Sequence, residues 1–371
     1  MEVAIWKNIL MIIAGIHANH NAGVTLIDRG HIIFSTEEER MSRIKRDSSP
    51  FLTIGKIRYE YMAMDTQLSF AAISGFTPIN NPTGNAIDPW TGENIYVSYL
   101  KKLKLISHNY QVVDFGNTHH LLHAATAFYR SEFENSIAIV VDGSGSPMNE
   151  LQNIEAESIY ECSYPNSFKP LYKRTMSEGD ISFTKENDCI YFNHPAPGIG
   201  AMYDMIGCIC GFKILDCGKT MGLAAYGKQD SVLSSLIKYE NDYPVGDYNI
   251  IDFTPRENHL GYFNFKKDSY LLGKTKENLT YAIQEQSEQA VLHLINKAKK
   301  LSNSKNIVLS GGFFQNCKAN YRIAKENPDY NIYVEPLCYD GGLSLGAALL
   351  QFHLVTPNGR IKNIKEKIKI T

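Results

Sequence analysis

Twice along this chain, two or three short strand-like runs form a meander that is joined to a glycine/aspartate turn and helical segments, near residues 9–46 and again near 136–175. In the first copy, Ile9-Ile16, Gly23-Asp28 and His31-Ser35 alternate or run apolar over strand lengths. Asp28-Arg29-Gly30 reads as a tight turn between the last two. The charged stretch Thr36-Lys45 that follows reads as helix or loop. In the second copy, Ser136-Val141 is a continuous apolar run suited to a central strand and stops at Asp142-Gly143-Ser144-Gly145. Glu157-Tyr164 and Lys169-Arg174 supply the next two strands. The copies share a pattern and not a sequence repeat. An antiparallel meander at an N-terminus is unlike a dinucleotide-binding start.

A duplicated meander predicts an α/β protein of the actin/Hsp70/sugar-kinase kind, two-lobed, with a nucleotide cleft between the lobes. The expected lobes are residues 1–150 and 151–354, followed by a basic tail, 355–371. Segment 359–371 carries five Lys or Arg, and such tails are solvated or make an edge contact. Other elements fill the pattern: a strand at Gln111-Phe115, helices at about Thr118-Arg130, Ile199-Cys210 and Lys276-Leu301, a strand at Asn306-Leu309, a helix at about Gln315-Ala324, a strand at Tyr330-Val334 and a helix at Gly342-Leu350. Gly218-Gly227 reads as a loop. Residues 50–105 and 175–275 give weak signals.

Composition narrows the function classes. The chain has 371 residues and a net charge of −2, which gives no global electrostatic case for nucleic acid or an acidic membrane. No stretch approaches the ~20 apolar residues of a membrane span. Seven cysteines, an odd number with no C-x-x-C pair, read as reduced thiols of a cytoplasmic protein.

The strongest chemical constellation is Asn117-Thr-His-His-Leu-Leu-His-Ala-Ala-Thr-Ala. His119 and His123 are four apart and share one helix face, the spacing a divalent metal needs from two helical ligands. Two surface histidines on an amphipathic helix would show the same spacing. Asp142 ends a buried strand, and Asp340 stands between a strand and a helix ahead of Gly341-Gly342. Carboxylates there suit a metal or a phosphate, or a helix cap in the case of Asp340. Two imidazoles with two carboxylates favour Fe(II), Mn(II) or Zn(II) over a bare Mg(II) site.

The loops Asp142-Gly-Ser-Gly and Ser310-Gly-Gly follow strands, so their N–H groups can cradle phosphate or simply turn the chain. Neither they nor Gly218-Lys219-Thr220 match a P-loop or a G-x-G-x-x-G motif. His17 and His20 follow the first strand, where a histidine can act as general base or merely bond its neighbours in a turn.

In this order the pieces resemble the O-carbamoyltransferase family that includes the nodulation, cephamycin and tobramycin carbamoyltransferases. The matching blocks are His20-Asn21-Ala22, Glu37-Glu38-Glu39-Arg40 through Lys45, and His119-His120-Leu-Leu-His123-Ala-Ala-Thr-Ala-Phe-Tyr. They continue with Val140-Val141-Asp142-Gly143, Gly218 through Gly227, Gly311-Gly312-x-x-x-Asn316-Cys317-x-Ala-Asn320 and Asp340-Gly-Gly-Leu-Ser-Leu-Gly-Ala-Ala. The resemblance implies a lobe pair related to the tRNA threonylcarbamoyl-adenosine transferase. It makes His119, His123, Asp142 and Asp340 the ligands of a metal, Fe(II) foremost. It sets ATP or carbamoyl-adenylate, with Mg(II) as a companion ion, near Gly143, Ser144, Lys219, Gly311, Gly312 and Asn316. It sets His20 near the acceptor hydroxyl.

Three departures stand out. Asn21 occupies a position that is usually Asp. Phe313-Phe314-Gln315 replaces a smaller apolar stretch. The chain stops soon after the last block, where family members continue into a YrdC-like domain that makes carbamoyl-adenylate from carbamoyl phosphate and ATP. The expectation is a transfer module without that domain. It would be supplied by a separate YrdC-like protein, with the tail in the docking surface and a homodimer as the other assembly considered. Another kinase or ATPase of the same fold, or a non-catalytic nucleotide-binding subunit, also fits the loops.

Overall fold

The computed structural model describes residues 11–75, 86–147, 153–176, 181–254, 262–266 and 269–361. The first residues of the expected Ile9-Ile16 strand and most of the basic tail lie outside them. The chain forms two compact units: residues 1–130, 164–167 and 340–371, and residues 131–163 and 168–339. This differs from the contiguous lobes 1–150 and 151–354. The strand that precedes Asp142 hydrogen-bonds within the second unit, and the last helix packs in the first.

The first unit begins with β1 (Ile12–Ala18), β2 (Gly23–Asp28) and β3 (His31–Glu37), then α1 (Glu39–Ser42), α2 (Phe51–Lys56), β4 (Phe70–Gly75), α3 (Ile95–Lys102), β5 (Val112–Asp114) and α4 (His119–Arg130). Its sheet order is β3-β2-β1-β4-β5. β1 is antiparallel to β2 and parallel to β4. The two-residue loop Arg29-Gly30 has positive φ at both positions, +49° and +81°, as a right-twisted hairpin requires. β1 is buried from Ile12 to His17, as expected of a central strand covered on both faces.

The second unit contains β6 (Asn135–Val141), β7 (Ile154–Ser163), β8 (Ser167–Met176), β9 (Ser182–Glu186), β10 (Cys189–Asn193), α5 (Ile199–Ile209), α6 (Cys217–Ala224), β11 (Ile237–Glu240), β12 (Tyr243–Gly246), β13 (Ile251–Thr254), β14 (Tyr262–Phe265), α7 (Lys276–Leu301), β15 (Asn306–Ser310), α8 (Cys317–Glu326) and β16 (Asn331–Val334). Its large sheet runs β16-β15-β6-β7-β8-β10-β9. β6 is antiparallel to β7 and parallel to β15. The five strands β8-β7-β6-β15-β16 therefore repeat the order of the first sheet, as the duplicated meander predicts.

Two expectations change. The segment Gly218-Gly227 is mostly helical. Gly218 and Gly222 sit in open space at ordinary helical φ, so neither breaks α6. The weak region 50–105 hides a central strand, β4, too short and too rich in small residues to announce itself.

The chain returns to the first unit with α9 (Leu343–Val355), buried from Leu343 to His353. It packs on β1 and α4. A Cβ on Gly15 would meet Ser344 O at 1.9 Å, so glycine lets the helix lie directly on the strand. All seven cysteines are free thiols, and no described helix is long and apolar enough to cross a membrane.

Candidate functional site

In the first unit, α4 and α9 fix one buried cluster. Gly346 is the contact point: a Cβ there would meet Leu122 O at 2.4 Å. Thr126 Oγ1 donates to Gly342 O at 3.1 Å, which ties the start of α9 to α4. Asp340 opens the short turn that leads into α9 and is thereby held against the first turns of α4.

His119 and His123 project from one face of α4, their ring centroids 4.9 Å apart, as the i,i+4 spacing predicts. Their Nε2 atoms lie 3.5 and 3.6 Å from Asp340 Oδ1. One ligand atom of each of the three residues lies within 4.8 Å of the others, and all three side chains are buried. Two further histidines face the same carboxylate: His20 Nε2 at 3.3 Å and His17 Nε2 at 3.9 Å from Asp340 Oδ2. His120, one position along, is also buried, with its ring 6.5 Å from that of His123.

The donor set fits a divalent metal. Imidazole nitrogens and a carboxylate oxygen converge within the span that bonds of ~2.0–2.2 Å allow. Burial holds the His17 pKa down at about 3; Asp340 opposes this, and the neighbouring imidazoles of His119, His20 and His123 add to it. His17 is therefore neutral.

His20 is oriented by a short relay. Glu37 Oε2 accepts from Asn21 Nδ2 at 2.9 Å. That fixes the Asn21 amide and turns its Oδ1 to His20 Nδ1, 3.2 Å away. Nδ1 therefore carries the proton and donates to Asn21, leaving Nε2 as the basic nitrogen. Asn21 stands at φ +61°, a conformation Asn tolerates better than most residues. Asn21 thus supplies the oxygen that orients His20.

In the second unit, the loop after β6 and the loop after β15 meet. Gly312 N donates to Asp142 Oδ1 at 2.9 Å. Gly311 has φ +99°, and a Cβ there would lie 2.3 Å from Val141 O. Gly200 of α5 is pressed as closely on the same strand end, with Asp142 O 2.3 Å from its would-be Cβ. Gly143, by contrast, has open space before it among the described residues, and Ser144 is exposed. These four expected nucleotide residues, Gly143, Ser144, Gly311 and Gly312, therefore line adjoining loops at the end of one sheet.

Asn316 is committed elsewhere. Its Oδ1 caps α8 by accepting from Ala319 N at 3.1 Å, and its Nδ2 donates to Gln284 Oε1 at 2.9 Å. Lys219 sits in the first turn of α6, its Nζ 2.6 Å from Asp216 Oδ2 and its side chain largely exposed.

Sequence reasoning gave no role to Ser74, whose Oγ lies 3.0 Å from His17 Nδ1. Nothing local marks it, because the pair is made by sheet register across 57 residues.

A family model described as Carbamoyltransferase N-terminus matches residues 83–349. The nodulation protein NolNO of Sinorhizobium fredii is 24% identical over 341 residues, covering 89% of this chain and 46% of that protein. Protein MJ1051 of Methanocaldococcus jannaschii is 25% identical over 354 residues, covering 91% of this chain and 56% of that one. The chain thus spans about half the length of the curated relatives it matches. Among solved structures, full-length HypF in its phosphate- and nucleotide-bound form aligns with a TM-score of 0.55 at 13% identity, over 95% of this chain and 56% of that one. At that identity the likeness is one of fold, the α/β fold of the actin, Hsp70 and sugar-kinase class. With its family match covering most of its length, the chain belongs to the carbamoyltransferase family, in the region that forms that family's N-terminal part.

Proposed function

We propose that this chain performs the transfer step of an O-carbamoylation, moving a carbamoyl group from carbamoyl-adenylate to a hydroxyl of a small-molecule or nucleoside acceptor. The observation that carries the reading is the buried convergence of His119, His123 and Asp340 in a chain of this family.

His119, His123 and Asp340 would hold a divalent metal, Fe(II) foremost, with Mn(II) and Zn(II) as the alternatives. For Asp142 as a further ligand, the support is the resemblance of its strand-end block. A metal held there supplies Lewis acidity toward a carbonyl or phosphate oxygen.

The chain's own residues account for the rest. His20 Nε2 takes the acceptor's proton while the acceptor oxygen bonds to the carbamoyl carbon. The bond from that carbon to the phosphate oxygen breaks, and AMP leaves with the electron pair. Gly143, Ser144, Gly311 and Gly312 offer backbone amides to the phosphate, and Lys219 offers a cation. Asn316 acts through position, by fixing the start of α8.

The test supplies ATP, carbamoyl phosphate and a panel of hydroxyl acceptors, with and without a YrdC-like protein, and reads carbamoylated product by mass spectrometry. Product that disappears in Asp340→Asn and His20→Gln supports the reading. Product made in equal yield by both variants contradicts it.

A further inference from the structure

We propose that the buried ion pair of Glu157 and Arg174 is the device that positions the phosphate-facing loop of the second unit. It sets the entry of α5 against Asp142-Gly143 and so holds the Gly143 and Ser144 amides in place for the adenylate's phosphate. The inference rests on the nucleotide reading above and deepens it.

Glu157 stands on β7 and Arg174 on β8, neighbouring strands of the large sheet. Their side chains are 1% and 0% exposed. Arg174 Nη1 donates to Glu157 Oε2 at 3.2 Å. The pair's other hydrogen bonds among the described residues go to one short segment. Arg174 Nη2 donates to the Ala196 and Pro197 carbonyls at 2.8 and 3.3 Å. Glu157 Oε1 accepts from the backbone N–H of Ile199, the first residue of α5, at 2.6 Å.

That segment touches both the ion pair and the loop. A Cβ on Gly198 would stand 2.7 Å from Glu157 Oε1 and 3.0 Å from Arg174 Nη1. Two residues on, a Cβ on Gly200 would stand 2.3 Å from Asp142 O and 3.0 Å from Gly143 N. Neither contact leaves room, and a close-packed interior transmits a shift from one to the other. The loop is also tied to β7, through Asp142 N to Ala156 O at 3.3 Å and Gly145 N to Glu155 O at 2.8 Å.

Holding β7 to β8 does not need charge. Desolvating two charges is costly, and an apolar pair of similar volume often serves stability as well or better. Arg174 Nε has no hydrogen-bond partner among the described residues, a further cost in a buried side chain. What the ion pair supplies is direction. The planar guanidinium joins the carboxylate and two carbonyls at fixed angles, a fork that a lysine ammonium does not reproduce.

The test compares wild type with Arg174→Lys and with the double variant Glu157→Leu/Arg174→Met. It reads ATP affinity by calorimetry, stability by urea unfolding, and hydrogen exchange of residues 194–201. The double variant is expected to unfold cooperatively, to exchange faster over 194–201, and to lose about 10- to 100-fold in ATP affinity, as a misplacement of about 1 Å brings. Arg174→Lys keeps the charge and loses the fork, and should show the same changes near the lower end of that range. A pair that served stability alone would not lose affinity in a variant that stays folded.

A cooperatively folded double variant that binds ATP like wild type would overturn the inference and leave the nucleotide reading standing. If the double variant does not unfold cooperatively, Arg174→Lys decides, and wild-type ATP affinity in it overturns the inference. No ATP binding by wild type would remove both.

Discussion

The Nε2 atom of His20 stands 3.3 Å from Oδ2 of Asp340. With Nδ1 protonated toward Asn21, the bare Nε2 is the nitrogen turned to the Asp340 side. That one relationship links the proposed base to the proposed metal ligand. It also anchors a His20 side chain that is 40% exposed.

Removing the base should leave the cluster intact. His20→Gln is expected to lower kcat for acceptor-dependent AMP release by about 100-fold or more, the usual worth of a positioned base, without weakening metal binding. Glu37→Gln, which loosens the Asn21 amide, should cause a smaller loss in the same direction. Steady-state kinetics beside a metal titration check both.

The α4–α9 contact should be intolerant of a single methyl group. Gly346→Ala pushes a Cβ to within 2.4 Å of Leu122 O and 2.5 Å of Thr126 Oγ1. The expected cost is about 1–3 kcal/mol. Because that contact holds Asp340 opposite His119 and His123, metal affinity should fall as well. Urea unfolding and a metal titration on the same variant read the two effects.

The glycines of the second unit should separate into two kinds. Gly311→Ala must place a Cβ at φ +99° and 2.3 Å from Val141 O, for an expected loss of about 2–4 kcal/mol. Gly143→Ala meets nothing within 4 Å among the described residues and should change stability by no more than about 0.5 kcal/mol. A lower nucleotide affinity in Gly143→Ala at unchanged stability would mark that loop as a contact surface. Chemical denaturation and calorimetric titration with ATP make the comparison.

His353 should make the fold acid-sensitive. Its ring is buried, stacked 4.1 Å from Tyr129 and edge-on to Tyr164, and neither ring nitrogen has a hydrogen-bond partner among the described residues. Burial, with Arg360 nearby, lowers its pKa to about 4. An unfolded histidine titrates near 6.5, so between pH 6.5 and 4 the unfolded chain binds a proton that the folded chain refuses. Stability from this group is present above 6.5 and is lost as pH falls through that window. His353→Phe should lose less stability than wild type between pH 6.5 and 4.5 in urea unfolding, and an equal loss would refute the assignment.

The sequence carried the parts of this molecule that depend on local pattern. The apolar run of β6, the helical period of α7 and the His119/His123 spacing each lie within one element, and each was legible. Asp340 was legible as a carboxylate between strand and helix, although not that four imidazoles would face it. Register and close approach were hidden. Ser74 meets His17 only because β4 pairs with β1, and β4 is six residues of mostly small side chains. Gly346 reads as an ordinary helix glycine until α4 lies against it. The Gly218-Gly222 stretch misled in the opposite sense, since glycines that touch nothing can remain in a helix.

The most direct measurement is binding of 5′-O-(N-carbamoylsulfamoyl)adenosine, a hydrolysis-resistant mimic of carbamoyl-adenylate, to the metal-loaded and metal-free chain. Binding is expected to weaken at least about tenfold without metal, and equally in His119→Ala and Asp340→Asn. No binding, or binding indifferent to the metal and to both substitutions, would contradict it.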